Sequence, residues 1–342
     1  MRNIILVTGG AGYIGAHVCK ALSRCGYLPV AYDNLCSGNE SHVKWGPFEE
    51  GDIRDTARLS EVIQRYRPGA IMHFAALIQV GESVSDPAKY YDNNVNGSLS
   101  LLQAARAHDI RHLVFSSTAA VYGMPQGEAI NENHPLVPIN PYGRTKLAME
   151  NMIRDFADAY GLKYAILRYF NAAGADVDGE LGTAYKVDTH IVPLLMKVAA
   201  GEMSEIKVFG TDYASRDGTA IRDYIHVQDL AEAHVLALRR IRERDESLTL
   251  NLGTSEGHTV QEVLEKVREV TRRPVPSRAT ARRPGDPERL VADASRARDV
   301  LNWQPRHSDL HTIVSSAWDW HLKKTSPDTW NNISVRTAAG VA

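Results

Sequence analysis

Short apolar runs alternate with longer amphipathic segments through the first half of the chain. The runs are rich in β-branched residues and predict strands that are buried on both faces, at 4–8, 28–32, 70–74, 112–117 and 164–169. Between them, apolar positions with helical spacing predict helices at 16–24, 58–67, 91–108 and 141–160. Strands that alternate with helices in this way predict βαβ units, and therefore a parallel sheet with helices on both faces.

The alternation of predicted strands and helices becomes less regular after about residue 170. Loops there are longer and richer in Gly, Asp, Pro and Arg, at 171–190, 210–223 and 272–290, and one further helix is predicted at 260–270. Long loops in a compact domain are usually functional or mobile. We therefore predict an α/β protein with a Rossmann-type doubly wound parallel sheet in residues 1–170, completed by return segments around 220–250. A smaller mixed α/β substrate domain is expected over 171–325, and a peripheral tail over 326–342.

Composition and charge narrow the classes of function. Of the 342 residues, 44% are hydrophobic and 23% are charged, and the formal net charge is −2, which is ordinary for a soluble globular protein. We expect no nucleic-acid partner, because the chain carries no excess of positive charge. We expect no membrane partner, because no stretch approaches the roughly 18 apolar residues that a spanning helix needs. The apolar run at the start is too short for a signal peptide.

The cysteines carry information about the compartment. Cys19, Cys25 and Cys36 are odd in number and show no CxxC spacing. This pattern argues against a disulfide framework and against a structural zinc site, so no metal is expected. A cytoplasmic location, which is reducing, fits such cysteines best.

A glycine turn joins the first predicted strand to the first predicted helix. Gly9, Gly12 and Gly15 are spaced as GxxGxxG. In this context the first glycine permits a tight turn, the second lets a pyrophosphate approach the backbone, and the third lets the helix pack closely. The free N–H groups at the helix start would then bind the phosphates. The alternative is a glycine-rich turn without a ligand.

An acidic residue follows at the end of the second predicted strand. Asp33 lies about 20 residues after the glycines, where a carboxylate binds the adenosine ribose hydroxyls of a dinucleotide. A carboxylate there repels the extra phosphate of NADP, so the predicted cofactor is NAD. The alternative is a solvated aspartate at a strand end. Asp52 and Ile53 are weaker candidates for residues that flank the adenine.

A tyrosine and a lysine share one face of the helix predicted at 141–160. Tyr142 and Lys146 are four residues apart, so the ammonium can lie near the phenol and favour the phenolate. A free tyrosine has a pKa near 10, and a base at neutral pH needs a large shift. Thr118, at the end of a Ser/Thr-rich strand, is placed to share a hydrogen bond with a substrate hydroxyl. For Ser116 and Ser117 we favour capping of loop backbone over chemistry.

These motifs together resemble the extended short-chain dehydrogenase/reductase family, and within it the UDP-glucose 4-epimerases. The similarity runs from residue 3 to about 320. It is carried by VTGGAGYIGAH at 7–17, HFAALIQVGESV at 73–84, NPYGRTK at 140–146, RYFN at 168–171, FGTDY at 209–213, DGTAIRDYIHV at 217–227 and RRPGD at 282–286. The DGT…RDYIHV block is the most discriminating part. The resemblance implies reversible C4 epimerisation of UDP-glucose and UDP-galactose through a transient 4-keto sugar, with NAD kept bound.

The resemblance also implies roles for individual residues. Tyr142 would be the catalytic base, Lys146 would hold the nicotinamide ribose and lower the tyrosine pKa, and Thr118 would face the C4 oxygen of the sugar. Cofactor contacts are implied for Gly9, Gly12, Tyr13, Ile14, Gly15, Asp33, Asn34, Asp52, Ile53, Phe74, Ala75, Ala76, Asn93, Ser116, Lys146 and Tyr169. Contacts with the UDP-sugar are implied for Thr118, Tyr142, Asn171, His190, Phe209, Arg222, Tyr224, Arg283, Asp286 and Leu290. For the two arginines, a surface ion pair is the alternative.

Three positions depart from the family pattern. Ile78 replaces a lysine that contacts the cofactor phosphates in some members, which implies weaker retention of NAD. His190 stands where others have asparagine beside the diphosphate. Leu290 occupies the position that limits room for an N-acetyl group on the sugar.

Several alternatives stay open at this point. One is a 4-epimerase of UDP-N-acetylglucosamine or UDP-xylose. A 4,6-dehydratase is less favoured, because residues 118–121 offer no acid to expel the C6 hydroxyl. A non-catalytic NAD-sensing or RNA-binding relative is disfavoured by the intact Tyr142 and Lys146. The resemblance implies a homodimer formed through the helices at 91–108 and 141–160, although the same helices could simply pack on the sheet.

Overall fold

Fourteen strands and eleven α-helices form the computed structural model over the part of the chain that it describes, which is residues 3–325 without 126, 128, 185, 186 and 284. The strands are β1 (Ile4–Thr8), β2 (Leu28–Asp33), β3 (Phe48–Glu50), β4 (Ala70–His73), β5 (His112–Thr118), β6 (Lys163–Tyr169), β7 (Asn171–Ala173), β8 (Ile206–Phe209), β9 (Ile221–Arg222), β10 (Tyr224–His226), β11 (Leu248–Leu252), β12 (His258–Thr259), β13 (Ser277–Thr280) and β14 (Arg289–Leu290).

The α-helices are α1 (Tyr13–Arg24), α2 (Thr56–Tyr66), α3 (Val80–Ser85), α4 (Pro87–Tyr90), α5 (Gly97–Ala107), α6 (Pro141–Tyr160), α7 (Ile191–Ala199), α8 (Val227–Arg244), α9 (Val260–Thr271), α10 (Ser295–Leu301) and α11 (Leu310–Thr325). A π-helical segment, Tyr91–Asn96, joins α4 to α5. Short 3₁₀ turns cover Glu40–His42 and Ala119–Tyr122. The predicted tail at 326–342 lies outside the described residues. Among the described helices, none has both the length and the apolar character that a membrane span requires.

Seven of the strands form one parallel sheet in the order β11-β6-β5-β4-β1-β2-β3. The chain order reverses between β1 and β4, which is where the open crevice of a doubly wound sheet forms at the carboxyl ends of the strands. This arrangement confirms the predicted Rossmann-type fold. The segment that returns to the sheet edge is β11, after α8, and it pairs with β6.

The apolar character of the strands follows from burial on both faces of the sheet. In β1, Ile5 and Val7 pack in one cluster with residues of α1 and α8, whereas Leu6 packs in another with residues of α2, α5 and α6. Full burial of one such side chain contributes about 1.5–3 kcal/mol. The same requirement explains why the first-half strands read as continuous apolar runs.

Helix α6 begins and ends where the sequence predicts. The side chain of Asn140 accepts a hydrogen bond from the Gly143 N–H at 2.9 Å, and Pro141 occupies the first turn. At the other end, Gly161 takes the left-handed conformation that terminates helices. Both capping signals lie within a few residues of the helix, and they explain why the structure matches the bounds that apolar spacing predicted.

Two other helices differ most from their predicted bounds, while α2 and α9 differ by only one or two residues. Helix α1 begins at Tyr13, three residues earlier than predicted, because the helix starts inside the glycine turn itself. The helix predicted at 91–108 is divided between the π-helical segment and α5. Segments of π-helix are rare and are frequently associated with functional sites. Periodicity in the sequence does not distinguish this geometry from an ordinary α-helix.

Residues after β6 form smaller sheets and a separate apolar cluster. Strand β10 pairs with β7, β9 lies between β12 and β14, and β13 pairs with β8. Helices α7, α9 and α11 pack around Leu195, Val263 and Ile313, which are fully buried. Short strands give these residues little regular structure, so loops carry much of the surface that faces the crevice.

Candidate active site

A cavity of about 1110 Å³ lies where the carboxyl ends of the parallel strands face the second half of the chain. Every residue predicted from the sequence to contact the cofactor or the substrate lines this cavity, with the exception of Asp52. We call the part around Gly9, Gly12 and Gly15 the glycine-turn end. We call the part around Arg222 and Arg283 the arginine end. Tyr142 lies in the same cavity.

The glycine turn leaves no room for side chains. Gly9 has φ 74°, and a Cβ added to it would lie 2.6 Å from the main-chain nitrogen of Ala75. A Cβ on Gly15 would overlap the carbonyl oxygen of Gly9. Gly12 is the N-cap of α1 and supplies no side-chain acceptor to the first N–H groups of the helix. These donors and the positive end of the helix dipole suit a phosphate group.

Asp33 is fixed in front of this turn. Its two carboxylate oxygens accept hydrogen bonds from the main-chain N–H groups of Ala11 at 3.1 Å and Leu35 at 2.9 Å. Burial raises the pKa of Asp33, and the two hydrogen bonds oppose that increase by favouring the ionised form. The residues therefore fit an NAD ribose, as predicted from the sequence, with the carboxylate already oriented by the turn.

Asp52 does not join the other predicted residues at the cavity. Its carboxylate accepts hydrogen bonds from the Asn34 side chain at 2.9 Å and from the guanidinium of Arg54 at 2.8 and 2.9 Å. The Arg54 guanidinium holds the pKa of Asp52 well below its usual range. Asp52 thus orients Asn34, which does line the cavity, whereas its neighbours Gly51 and Ile53 reach the cavity directly. Position in the sequence could not separate these three roles.

Tyr142 and Thr118 line the cavity and are hydrogen-bonded to each other. The Thr118 hydroxyl hydrogen-bonds the phenol and lowers its pKa, but burial has the larger effect and raises the pKa of Tyr142 to about 12. Burial also lowers the pKa of Lys146 to about 7, against the opposing charge of Glu150. The Lys146 ammonium donates to the Ser116 carbonyl oxygen at 2.9 Å. The expected net lowering of the tyrosine pKa is therefore not reached by the protein groups themselves.

The serines before Thr118 bond to other side chains and do not cap loop backbone. The Ser116 hydroxyl forms a hydrogen bond with the hydroxyl of Tyr169. The Ser117 hydroxyl donates to Glu150 at 2.6 Å, and Glu150 is also bonded by the Arg168 guanidinium at 2.6 and 2.9 Å. This buried group joins β5, α6 and β6 one helical turn from Lys146. Sequence reasoning missed it, although Glu150 follows Lys146 at the i+4 spacing.

A second support for α6 was also missed. The amide of Asn94, which is fully buried, donates to the Leu77 carbonyl at 3.0 Å and to the Thr145 hydroxyl at 3.1 Å, and its oxygen accepts from the Leu77 N–H at 2.8 Å. Asn94 belongs to the π-helical segment, and its neighbour Asn93 lines the cavity. One side chain thus connects the loop after β4 with the helix that carries Tyr142.

The arginine end is built from short strands and charged side chains. Strand β14 pairs with β9, which sets Leu290 beside Arg222. The guanidinium of Arg222 bonds the carboxylate of Asp286 at 2.5 Å. The ion pair considered as an alternative for Arg222 is thus present, and both of its members line the cavity. The Arg283 guanidinium stacks over the ring of Phe209 at 3.7 Å.

The remaining predicted residues also reach this end. Asn171 lines the cavity, and its amide donates to the main-chain oxygen of Asp223 at 3.1 Å. His190 occupies the N-cap position of α7 without a capping hydrogen bond from its side chain, and burial lowers its pKa. Burial raises the pKa of Tyr224 to about 12. Ile78 lines the opposite part of the cavity and is 37% exposed.

Helix α1 also supports the segment that follows Asn171. The Tyr13 hydroxyl donates to the Gly174 carbonyl at 2.6 Å. Farther along the helix, the buried ammonium of Lys20 bonds Asp176 at 2.6 Å and also contacts Asp178 and Glu180. The helix that starts at the glycine turn therefore holds the loop that leads away from the arginine end.

Comparison with known proteins gives a consistent result. The model of the NAD dependent epimerase/dehydratase family matches residues 5–253. A UDP-glucose 4-epimerase of Rhizobium leguminosarum bv. trifolii is 54% identical over 320 residues, which are 93% of this chain and 97% of that protein.

Solved structures agree with this match. The crystal structure of UDP-glucose 4-epimerase from Brucella ovis in complex with NAD is 51% identical, with a TM-score of 0.91 over 93% of this chain and 98% of that one. The enzyme from Bifidobacterium longum in complex with NAD⁺ and UDP is 37% identical, with a TM-score of 0.88 over 94% and 98%. These matches confirm the resemblance seen in the motifs, and the chain belongs to the NAD dependent epimerase/dehydratase family.

Proposed function

We propose that this chain interconverts UDP-glucose and UDP-galactose by reversible epimerisation at C4, with NAD as a tightly held cofactor. The observation that carries the proposal is the continuity of the cavity. One cavity is lined by Tyr142 and Thr118, by a glycine turn suited to a dinucleotide and by a pair of arginines suited to a diphosphate. The relatives described above are all UDP-glucose 4-epimerases. The Brucella ovis structure contains NAD, and the Bifidobacterium longum structure contains NAD⁺ and UDP.

The glycine-turn end fits NAD in three respects. Gly9 and Gly15 keep side chains out of the turn, Gly12 supplies no side-chain acceptor at the start of α1, and two main-chain N–H groups beside the turn fix the Asp33 carboxylate. When bound, NAD supplies reversible hydride transfer, and its oxidised ring brings a positive charge. Lys146 would bind the nicotinamide ribose, and Asn93 and Tyr169 would border it.

Tyr142 is the proposed acid and base. Its phenolate would take the proton from the C4 hydroxyl in one direction and its phenol would return that proton in the other, while Thr118 holds the same oxygen in line. Ionising a phenol of pKa about 12 at pH 7 costs about 7 kcal/mol. Positive charge near the phenol must offset this cost, and the buried ammonium of Lys146 is the protein's contribution. Its own pKa of about 7 makes that contribution dependent on pH.

The arginines are the proposed anchor of the UDP group. Guanidinium groups bind diphosphates through bidentate, charge-assisted hydrogen bonds. Arg222, Arg283 and Asn171 would hold the diphosphate with His190 beside it, Asp286 would bind the uridine ribose, and Phe209 and Tyr224 would border the base. Inversion at C4 requires the sugar to present its other face while the UDP stays in place. We therefore expect tight contacts at the arginine end and loose contacts around the sugar.

The range of sugars depends on the wall beside Arg222. Leu290 lines the cavity there and is larger than the small residues that leave room for an N-acetyl group. We propose that UDP-hexoses without this group are the preferred substrates. A relative from Campylobacter jejuni, 39% identical, is described as a UDP-Glc/GlcNAc 4-epimerase, so activity on UDP-N-acetylglucosamine is the second candidate.

One experiment tests the reaction and the cofactor together. The purified chain is denatured, the released nucleotide is identified, and a native sample is assayed with UDP-galactose in the absence of added NAD. We expect NAD in the released fraction and UDP-glucose as the product. Absence of isomerisation by a chain that retains NAD contradicts the proposed reaction. Parallel assays with UDP-N-acetylglucosamine and UDP-xylose determine the preferred sugar.

We also propose a homodimer formed through α5 and α6. Tyr160, at the end of α6, is 47% exposed, and the Arg106 guanidinium of α5 stacks over its ring at 4.0 Å. Phe156 and Met152 on the same helix are only partly buried. Sedimentation analysis of the wild-type chain and of Tyr160→Asp tests this arrangement. A cytoplasmic location is proposed because Cys19, Cys25 and Cys36 are all free thiols.

A further inference from the structure

Asp223 stands inside the DGTAIRDYIHV block but does not face the cavity. Its neighbours Arg222 and Tyr224 both line the cavity, whereas Asp223 is fully buried behind them. A buried carboxylate is costly unless hydrogen bonds compensate it. The proposed reaction gives Asp223 no role, so this position needs an explanation of its own.

The carboxylate of Asp223 connects two separate segments. One oxygen accepts hydrogen bonds from the Thr254 N–H at 2.9 Å and from the Thr254 hydroxyl at 2.8 Å. The other accepts from the N–H groups of Ser255 at 3.2 Å and Ala292 at 3.1 Å. Thr254 and Ser255 follow β11 at the edge of the main sheet, and Ala292 follows β14. Four donors thus compensate the buried charge and fix its position.

The main chain of Asp223 holds two residues of the cavity wall. Its carbonyl oxygen accepts hydrogen bonds from the Asn171 N–H at 3.0 Å and from the Asn171 amide at 3.1 Å. Its own N–H donates to the Leu290 carbonyl at 3.0 Å. A displacement of Asp223 would therefore move Asn171, Leu290 and the adjoining Arg222 together.

Gly253 closes the space on one side of the carboxylate. A Cβ at this position would lie 2.5 Å from a carboxylate oxygen of Asp223 and 2.7 Å from the Cβ of Ala292. The turn before Thr254 therefore approaches Asp223 as closely as main chain permits. Neither a larger side chain nor a shifted carboxylate fits this arrangement.

We propose that Asp223 is a positioning residue that anchors the arginine end of the cavity to the main sheet and thereby determines affinity for the UDP group. This inference rests on the proposed function only for the identity of the sugar nucleotide. Asp223 touches no substrate, and it acts through Asn171, Leu290 and Arg222. Tyr142, Thr118 and Lys146 belong to other elements and stay in place without it.

The test compares Asp223→Asn with the wild-type chain in three measurements. These are the dissociation constant for UDP by calorimetric titration, KM and kcat for UDP-galactose, and the amount of NAD released on denaturation. The NH₂ group of an asparagine side chain is itself a donor, and it would face the N–H and O–H donors that now bind the Asp223 carboxylate. One or two hydrogen bonds to the charged carboxylate are therefore lost. We expect the dissociation constant and KM to rise about tenfold to hundredfold. We expect kcat to stay within about threefold and NAD content to be unchanged, since the glycine-turn end is untouched.

A milder pair of variants guards against a folding defect. Thr254→Val removes the hydroxyl donor and leaves the three main-chain donors, and it should raise KM a few-fold with kcat retained. Thr254→Ser keeps the hydroxyl and should restore the wild-type KM. If Asp223→Asn does not fold, this pair decides the question. Thr254→Val with wild-type KM and UDP affinity then overturns the proposal.

Other outcomes separate the two proposals. Unchanged UDP affinity in a folded Asp223→Asn chain contradicts the role of Asp223, and so does a fall in kcat without a rise in KM. A wild-type chain that binds UDP but does not isomerise UDP-galactose contradicts the proposed function, and the UDP titration then still decides about Asp223. A wild-type chain that binds no UDP overturns both.

Discussion

The glycine-turn end of the cavity is made largely of main chain, whereas the arginine end is made largely of charged side chains. At the first, Gly9 and Gly15 exclude any side chain, and even Asp33 is oriented by two main-chain N–H groups. At the second, Arg222 pairs with Asp286 and Arg283 stacks on Phe209, on short strands joined by long loops. Side chains can move by changing rotamer, whereas the main chain of a tight turn has no comparable freedom. The difference suits a cofactor that stays bound and a substrate that enters, turns and leaves.

The largest expected effect lies between the two ends. Tyr142→Phe removes the proposed proton carrier without changing the packing of α6. Turnover of UDP-galactose should fall about 10²–10⁴-fold or more, while NAD content and thermal unfolding stay close to wild type. Tyr160→Phe, on the exposed end of the same helix, is the matched control and should keep full activity. Near-normal turnover by Tyr142→Phe would refute the assignment of both acid and base.

A substitution in the glycine turn should weaken NAD binding at the glycine-turn end of the cavity and leave UDP binding at the arginine end unchanged. In Gly15→Ala the new Cβ meets the Gly9 carbonyl, which main chain cannot avoid without moving. We expect the affinity for NAD to fall about tenfold for each 1.4 kcal/mol of strain. Turnover should fall in proportion to the NAD that is lost. UDP affinity, measured by titration, should be retained. Gly81→Ala is the control, since a Cβ there meets nothing within 4 Å. Equal loss of UDP binding in Gly15→Ala would show that the two ends are not independent.

The reciprocal change is Arg222→Ala. Removal of the guanidinium deletes charge-assisted hydrogen bonds to the diphosphate, so KM for UDP-galactose should rise about tenfold to hundredfold. Bound NAD should be unchanged in the same preparation. Arg216→Ala removes a nearby arginine that pairs with Glu262 at the surface and serves as the control. A KM equal to that of wild type would favour the simple ion pair with Asp286 over a role in binding.

Acid should weaken the half of the molecule around the glycine turn. Burial lowers the pKa of His17 and His73 to about 3 and that of His234 to about 4. The unfolded chain therefore binds more protons below pH 6.5. Stability that is complete above that value is lost progressively down to about pH 4 for His234 and to about pH 3 for His17 and His73. Each histidine contributes a slope of about 1.4 kcal/mol per pH unit in this window.

Urea unfolding at a series of pH values measures this slope. His234→Gln should reduce the slope by the contribution of one histidine, and His311→Gln, which changes an exposed side chain, is the control. His234 lies against Phe74 and Tyr169, with ring centroids 4.9 and 5.7 Å away, so its protonation is also expected to loosen the cofactor. Stability that does not change between pH 6.5 and 4.5 would contradict burial as the dominant effect.

The smallest expected effect concerns Ile78. Ile78→Lys places a positive charge on a side chain that lines the cavity and is 37% exposed, at the position where the family resemblance implies a lysine that contacts the cofactor phosphates. An exposed charge of this kind should slow the loss of NAD during dialysis about two- to fivefold. Ile78→Gln supplies a polar side chain of similar length without the charge and should behave like wild type. An equal gain in both variants would assign the effect to polarity.

Local signals predicted the regular elements well. Apolar spacing predicted a helix at 141–160, and α6 begins and ends at these residues, with Asn140 and Gly161 as its caps. The π-helical segment was not predicted, because its apolar spacing matches an α-helix until hydrogen bonds are assigned. Asn94 depends on that geometry to reach Leu77 and Thr145.

Sequence by itself determined the elements whose cause lies within a few residues. The strand, glycine turn and helix at 4–24, the i, i+4 relation of Tyr142 and Lys146, and the alternation of strands and helices all belong to this class. Each follows from backbone geometry and from the periods of helix and strand. The resemblance to a family then assigned chemistry to the same residues.

Tertiary structure alone decided which polar side chains face the cavity and what their surroundings do to them. Asp33 lines the cavity and Asp52 does not, and Arg222 lines it while the adjacent Asp223 is buried. The pKa of Tyr142 rises because burial outweighs its hydrogen bond with Thr118. Contacts such as Asp223 with Ala292 join residues far apart in the chain, so their energies depend on packing that no local pattern records.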